Sequence, residues 1–203
     1  MMNSLLKNKY KNQTVWIIGK GPSIQYLKKE NIGNGPIIAL NDAIKIIEKL
    51  DLSNDLYSLQ KDGCEKRKGR NNPKTWFTPD CDYSGEGCYI NNELLTSVKK
   101  TTSLLLHDLE SKYCFPDHPL RFVFNLKEIR LPRNEFSQIF ALKIAQYMGC
   151  NKFIFVSFDA QAIGDNRQYF NNMELNPRYP KHKPRLEKYI VGLDCTWFTP
   201  KEN

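Results

Sequence analysis

VWIIGKGPS, residues 15–23, is the stretch that decides the fold of this 203-residue chain. Four apolar residues run without interruption into a Gly-x-Gly turn, a pattern typical of a strand buried on both faces of a parallel sheet. Glycines let the backbone turn sharply, and Ser23 is of a residue type that caps helices. The stretch therefore predicts a strand, a tight turn and a helix that begins at Ser23.

The turn at the end of this strand is a predicted phosphate-binding site. Backbone N–H groups are unpaired at a helix N-terminus, and the helix macrodipole favours negative charge there. The predicted nucleotide-binding residues of the turn are Gly19, Lys20, Gly21, Pro22 and Ser23. We expect Gly21→Val to fill the phosphate space and leave the fold intact. A tight turn without a ligand is the alternative, because neither the full dinucleotide fingerprint nor a P-loop sequence is present.

Composition fits one domain spanning residues 1–203. A 40% hydrophobic content with 12% aromatic residues is enough for a sizeable core. No apolar run reaches the length of a membrane span, and residues 1–12 are polar, without the apolar region of a signal peptide. We therefore expect a cytoplasmic protein.

The net charge of +8 comes from basic residues scattered along the chain. The densest cluster, Lys61 to Arg70, also contains two acidic residues. A nucleic-acid interface should be a patch or a stripe, so we expect no specific nucleic-acid binding. Attraction to an anionic small molecule or a glycolipid fits the charge equally well.

The six cysteines include no Cys-x-x-Cys pair, so we expect no metal site. A zinc site that uses Cys64, Cys81, Cys88, Cys114 and His118 is the alternative, although its spacings match no usual ligand pattern.

Apolar periodicity predicts alternating strands and helices over most of the chain. The predicted further strands cover residues 36–41, 56–59, 74–78, 104–107, 121–129, 153–157 and 195–198. The predicted helices cover residues 23–31, 42–50, 133 or 134 to 148, and 184–191, and residues 161–181 are predicted to be a short lid-like loop. This order favours a single-domain α/β fold, a mostly parallel Rossmann-like sheet with helices on both faces.

Strand ends of a parallel sheet converge on one crevice, so polar residues there are candidate ligand contacts. Asn41 ends the second strand, and its amide can both donate and accept hydrogen bonds, as recognition of a base or a sugar needs. Asp159 follows the strand 153–157 and could hold sugar hydroxyls. Each has an equal alternative as a turn residue.

These residues carry a resemblance to a known family. The opening GKGPS at 19–23, the strand ending in Asn41, the helix that carries Ser137, and the apolar strand ending in Phe158 and Asp159 resemble the bacterial Rossmann-like sialyltransferases. The related 6-hydroxymethylpterin diphosphokinase-like family shares the opening and the Asp-terminated strand. The resemblance covers about half of the chain and implies that a CMP-linked sugar contacts the glycine-rich turn, Asn41 and Ser137. Gln138 stands where the family has a glycine.

The same resemblance implies the catalytic groups. His182 stands where the family has the base that takes the acceptor hydroxyl's proton, and neutral histidine can accept a proton near physiological pH. Its cationic neighbours, among them Lys183 and Arg185, should lower its pKa; an exposed surface histidine is the alternative. Tyr169 and Tyr179 are the nearest equivalents of the tyrosines that hold the leaving phosphate.

The expected function is therefore metal-independent glycosyl transfer from a CMP-type nucleotide sugar to a glycan or glycolipid acceptor, without a cofactor. Two alternatives stay open. The first is pyrophosphoryl transfer to a pterin, which needs Mg²⁺ and acidic ligands such as Asp62 and Asp159. The second is a catalytically silent nucleotide-binding or structural protein on the same fold.

Overall fold

Seven parallel strands form one sheet. The structure, a computed structural model, describes residues 2–60, 98–107, 118–132, 135–167 and 182–202. The strands are β1 (Thr14–Ile18), β2 (Ile37–Leu40), β3 (Leu56–Gln60), β4 (Ser103–His107), β5 (Arg121–Phe124), β6 (Lys152–Val156) and β7 (Asp194–Phe198). These confirm the strands predicted from the sequence, except that the one predicted over 121–129 ends at Phe124 and the one predicted at 74–78 lies outside the described residues.

The strand order is β5-β4-β3-β2-β1-β6-β7, and every pair is parallel. The chain builds outward from β1 to β5 on one side, and then returns to place β6 on the other side of β1. Trp16 of β1 accordingly lies opposite both Ile37 of β2 and Ile154 of β6. This reversal of direction between β1 and β6 is a topological switch point, the usual position of a ligand crevice in such sheets.

Helical segments cover both faces of the sheet, as predicted. On one face, α2 (Ser137–Tyr147) and α4 (His182–Ile190) bury apolar side chains such as Phe140 and Leu186 against β1, β3 and β6. On the other face, a 3₁₀ helix at Pro22–Tyr26 and the helical run that contains α1 (Ile44–Ile47) pack Ile24 and Ile44 on β1 and β2. The single-domain α/β, Rossmann-like fold is therefore confirmed, with an all-parallel sheet.

The helix after the glycine-rich turn is shorter than predicted, and Ser23 does not cap it. A 3₁₀ helix covers Pro22–Tyr26 and a second one covers Lys29–Asn31, with Leu27 in an extended conformation between them. Gly21 is the N-cap residue of the first 3₁₀ helix, and Pro22 follows it. An N–H group at that position has no partner within the helix, so proline loses no hydrogen bond there. The prediction of one helix over 23–31 was wrong, because the extended Leu27 ends the first turn.

The two long helices also begin at residues other than those predicted. α2 begins at Ser137, after the predicted start at residue 133 or 134, and α4 begins at His182 and not at Pro184. Proline fits within the first turn of α4, where N–H groups have no partner in the helix. Among the described residues, no helix is long and apolar enough to cross a membrane.

The C-terminal end of α2 is capped by the start of the chain. The backbone N–H groups of Asn8, Tyr10 and Asn12 donate to the carbonyls of residues 147, 148 and 149 at 3.0, 2.8 and 2.9 Å. These bonds satisfy carbonyls that a helix end leaves unpaired. They lie at the end of the sheet where the strands begin, and the candidate site lies at the opposite end, where the strands finish.

Candidate functional site

The carboxyl edge of the sheet brings the described candidate residues together. Parallel strands all end there, and α2 and α4, which each return the chain to the amino edge, begin there. The predicted residues at this edge are Gly19, Lys20, Gly21, Pro22, Ser23, Asn41, Ser137, Asp159 and His182. Contacts divide them into one group around the glycine-rich turn and one group around the N-termini of α2 and α4.

Asp159 occupies the glycine-rich turn. It is the first residue of α3 (Asp159–Ala162) and is 1% exposed. Its Oδ2 accepts a hydrogen bond from the Ser23 backbone N–H at 2.7 Å, and its Oδ1 accepts one from Ser23 Oγ at 2.6 Å. The carboxylate therefore stands where the sequence predicted a bound anion, and Ser23 uses its side chain to hold Asp159.

Other N–H groups of the turn are also bonded within the protein. The N–H of Gly19 donates to the Val156 carbonyl at 2.8 Å, and that of Gly21 donates to the Ser157 carbonyl at 2.9 Å. These bonds continue the pairing of β1 with β6 past the strand ends. A phosphate at this turn would have to compete with them, so the N–H donors of Gly19, Gly21 and Ser23 do not form an open cradle.

Close packing explains the two glycines. A Cβ on Gly21 would lie 2.5 Å from Asp159 Oδ2 and 2.6 Å from the Ser157 carbonyl oxygen. A Cβ on Gly19 would lie 2.7 Å from the same carbonyl oxygen. The expectation that Gly21→Val leaves the fold intact is therefore wrong, because the added side chain would meet backbone and a buried carboxylate.

Lys20 and Asn41 lie on the β2 side of the turn. Lys20 Nζ is 3.9 Å from Asp42 Oδ2, which connects the turn to the residues after β2. Asn41 has a φ of 51°, a left-handed conformation that asparagine tolerates better than most residues. Its carbonyl accepts a hydrogen bond from Gln60 Nε2 at 3.2 Å, so the backbone of Asn41 has a structural role while its amide side chain is half-buried.

Ser157, which sequence reasoning did not select as a site residue, ends β6 in the same left-handed conformation, with a φ of 56°. Its side chain is fully buried, and its Oγ has no hydrogen-bond partner within the described part of the chain. Backbone in this region is strained for a residue with a side chain. The signal in the sequence is its place at the end of the predicted strand 153–157, since the strand ends of a parallel sheet line one crevice.

The charges beside α3 are balanced. Arg167 donates to Asp165 through Nε at 2.9 Å and through Nη2 at 2.6 Å, and these bonds lower the pKa of the Asp165 carboxyl and raise that of the arginine. The backbone N–H of Asp165 in turn donates to the Asp159 carbonyl. With Lys20 near Asp42, the described edge carries paired charges of both signs.

The second group is centred on Phe136, the N-cap residue of α2. The His182 ring stacks on the Phe136 ring, with 3.4 Å between centroids and 27° between planes. The Arg185 guanidinium lies 5.1 Å from the centroid of the same ring. Ser137 follows Phe136 directly, so the structure brings the predicted base and the predicted phosphate contact to one place. His182 is half-buried, unlike an exposed surface histidine.

Several of the residues predicted for the loops lie outside the part of the chain that the structure describes. Tyr169 and Tyr179 lie outside the described residues, as do Cys64, Cys81, Cys88, Cys114 and Asp62. The predicted loop at 161–181 starts too early, because Gln161 and Ala162 belong to α3. His118 bonds to backbone at both ring nitrogens, accepting from the Leu120 N–H at 3.2 Å and lying 3.3 Å from the Lys99 carbonyl.

The bond between Asp159 and Ser23 gives a testable stability contribution. Asp159→Ala leaves two buried donors of Ser23 without an acceptor, and each such loss costs about 1–3 kcal/mol. We expect this variant to lose about 2 kcal/mol of unfolding free energy, less than the sum of two full penalties, because water can enter the space left. Urea denaturation measures the loss.

Ser23→Ala and the double variant complete a thermodynamic cycle. The coupling energy between the two positions should be about 1–2 kcal/mol from the bond between Ser23 Oγ and Asp159 Oδ1, since alanine at position 23 keeps the backbone N–H that donates to Oδ2. A coupling energy near zero would contradict the assigned role of Ser23. Ser53→Ala, at an exposed position in the bend before β3, is the matched serine control and should be close to neutral.

No protein-family model matches this chain, and no curated protein sequence matches it either. Within the described ranges, no group of three or more histidine, cysteine, aspartate or glutamate side chains is placed to hold a metal ion.

Proposed function

We propose that the crevice at the carboxyl edge, between β1 and β6, binds a nucleotide or a nucleotide sugar. The observation that carries the proposal is the switch point itself: β1 and β6 are neighbours, while the connections from them leave in opposite directions. In open parallel sheets, ligands bind outside the carboxyl ends of the strands at this position. The candidate residues at this edge come from five segments of the chain: the turn at 19–23 and the segments that contain Asn41, Ser137, Asp159 and His182.

The first turn of α2 is the better position for the phosphate. The backbone N–H groups of Gly19, Gly21 and Ser23 already donate hydrogen bonds within the protein. α2 has eleven residues, and its N-cap residue, Phe136, makes no side-chain hydrogen bond to the first turn. The first N–H groups of a helix have no partner within it, and the macrodipole favours an anion there. Ser137 would add a hydroxyl donor at the same point.

Glycosyl transfer from a CMP-type donor is the activity that we propose for this site. His182 lies next to Ser137 through the stack on Phe136, so a base and a phosphate contact are neighbours. His182 would accept the proton of a glycan or glycolipid hydroxyl as that oxygen attacks the sugar. Hydrogen-bond donors at the phosphate, with Tyr169 and Tyr179 among those proposed, would stabilise the leaving CMP. No step of this reaction needs a metal.

A catalytically silent binding protein is the second candidate, and one observation favours it. Asp159 fills the glycine-rich turn and is held by two hydrogen bonds, so part of the crevice is closed to a ligand phosphate. The same bonds make Asp159 a poor Mg²⁺ ligand, because both its oxygens are engaged and it is 1% exposed. Pyrophosphoryl transfer to a pterin, which depends on such ligands, therefore has less support.

Thermal unfolding with added ligands tests the binding proposal. A ligand at about 100 times its Kd should add about 2.7 kcal/mol of stability. CMP, CDP and CMP-sialic acid are expected to raise the Tm more than ATP or GTP, and the shift should persist in EDTA. If none of the five compounds moves the Tm, the crevice does not bind nucleotides.

Asn41 offers a matched pair of variants for the same experiment. Asn41→Gly keeps a residue that accepts the left-handed backbone and removes only the amide, whereas Asn41→Ala also strains the backbone. We expect the ligand-induced shift to fall in both, while the apo Tm falls more in the alanine variant. If the Asn41→Gly variant keeps the full ligand-induced rise in Tm, the Asn41 amide does not contact the ligand and the residue serves only the turn.

A further inference from the structure

One face of α4 contacts the residues at the start of α2. The His182 ring stacks on the Phe136 ring, and the Arg185 guanidinium lies 5.1 Å from the centroid of the same ring. Further along α4, the Tyr189 hydroxyl donates a hydrogen bond to Glu135 Oε1 at 3.1 Å. Residues three or four positions apart share one face of a helix, so the three α4 residues form one stripe that is directed at α2.

Phe136 departs from the usual chemistry of its position. An N-cap residue is normally serine, threonine, asparagine or aspartate, whose side-chain oxygen accepts a hydrogen bond from the first turn. Phe136 has the extended backbone of an N-cap, with φ −76° and ψ 161°, but its side chain makes no capping bond. Local rules are broken mainly at functional sites, so the aromatic ring indicates a role outside α2. Its contact with His182 is the candidate for that role.

The orientation of the stack suits a base. The two ring planes are 27° apart and the centroids are 3.4 Å apart, so the imidazole of His182 lies nearly flat on Phe136. Both imidazole nitrogens are on the perimeter of their ring, and in a flat stack neither of them points into the face of the phenyl ring. A general base must lie about 2.6–3.2 Å from the oxygen that loses the proton, so a ring held in one orientation meets a geometric requirement of the reaction.

A second contact keeps α4 from moving away from Phe136. Tyr189 lies seven residues after His182, which is about 10 Å further along the helix axis. Burial and the bond to Glu135 raise the pKa of Tyr189, so its hydroxyl stays a donor. Lys143 Nζ lies 5.5 Å from the centroid of the Tyr189 ring. Contacts with α2 at both ends of α4 fix the rotation of α4 as well as its distance from α2.

We propose that Phe136 is the positioning residue of His182 and holds the imidazole in the orientation in which it accepts the proton of the acceptor hydroxyl. The bond between Tyr189 and Glu135 supports this role by holding α4 against α2. The inference rests on the proposed role of His182 as the base. It adds a residue that touches neither substrate and acts through His182 alone.

Proton NMR detects the positioning contact without any substrate. The chain has three histidines, and the Cε1–H resonance that is lost in His182→Ala belongs to His182. The ring current of a stacked phenyl ring shifts this resonance upfield. The upfield shift should be present in the wild type and in Phe136→Tyr, which keeps the ring, and absent in Phe136→Leu. An identical His182 resonance in the wild type and in Phe136→Leu would overturn the proposal.

Turnover, followed as CMP release from CMP-sialic acid, tests the consequence of the contact. A misplacement of about 1 Å costs up to about 10²-fold, so we expect Phe136→Leu to lower kcat by about 10- to 100-fold. The KM for the donor should change less than about twofold, because the interaction serves the proton transfer and not donor binding. Phe136→Tyr should retain most of the wild-type kcat. Tyr147→Leu, which removes a half-buried aromatic ring at the other end of α2, is the matched control and should retain it as well.

The His182→Ala background separates positioning from a general structural effect. Adding Phe136→Leu to His182→Ala should lower kcat no further, because Phe136 acts only through the imidazole. A further loss in that background, or wild-type kcat in Phe136→Leu alone, would overturn the proposal and leave the transfer reaction in place. If the wild-type chain transfers no sugar, the proposed function fails, and the positioning role fails with it.

Discussion

Gly21→Ala is expected to lower the free energy of unfolding by about 3 kcal/mol, the upper end of the range for an overpacked site. The new methyl group would lie 2.5 Å from the Asp159 carboxylate and 2.6 Å from a backbone oxygen. Neither neighbour is a flexible side-chain end, since Asp159 is buried and bonded to Ser23. Urea denaturation should show a lower midpoint at an unchanged m-value.

Gly33→Ala is the control for this experiment. A methyl group at Gly33 would make an ordinary contact, 3.4 Å from the Trp16 ring, and the expected loss is at most about 1 kcal/mol. The comparison separates the general cost of replacing glycine from the clash at the turn. Equal stability of the two alanine variants would mean that the turn and the end of β6 leave room for a methyl group at position 21.

His182→Ala is expected to lower the turnover of the proposed glycosyl transfer by about 10²- to 10⁴-fold, the usual contribution of a general base. Transfer from CMP-sialic acid to a glycan acceptor would be followed as CMP release. The variant also loses the stack on Phe136, so it should lose about 1 kcal/mol of stability. Nucleotide affinity should change little, because the proposed partner of His182 is the acceptor hydroxyl.

His182→Phe distinguishes the two effects. Phenylalanine can keep the stack on Phe136 and cannot accept a proton, so this variant should retain wild-type stability and lose as much turnover as the alanine variant. If it keeps wild-type turnover, His182 is not the base. If the wild-type chain binds nucleotides but transfers no sugar, the silent binding protein becomes the correct candidate.

The sheet could be predicted from the sequence because its strands are buried on both faces. Uninterrupted apolar runs such as 15–18, 37–40 and 153–156 leave few alternatives to central parallel strands. Short helices were harder to predict from the sequence, since a single turn shows little apolar periodicity. Whether such a turn is α or 3₁₀ depends on how it packs. This is why residues 23–31 were predicted as one helix and form two 3₁₀ turns.

The site residues could be placed at one edge, but their contacts could not be predicted. Ser23 and Asp159 are 136 residues apart, and nothing local indicates that the aspartate would enter the glycine-rich turn. Gly19 and Gly21 would be suitable both for a phosphate cradle and for close packing. Which of the two they provide depends on how closely the end of the neighbouring strand β6 lies. The stack of His182 on Phe136 likewise depends on how α2 and α4 pack.

The position of β1 in the sheet has a consequence for how the protein is made. β1 leaves the ribosome long before one of its two neighbours, β6, which pairs Lys152 with Thr14. Until that strand emerges, one edge of β1 stays exposed. Long-range parallel pairing of this kind is slow to form, and exposed strand edges invite aggregation. Nascent chains that are halted before β6 should therefore be bound by chaperones, and completed chains should release them.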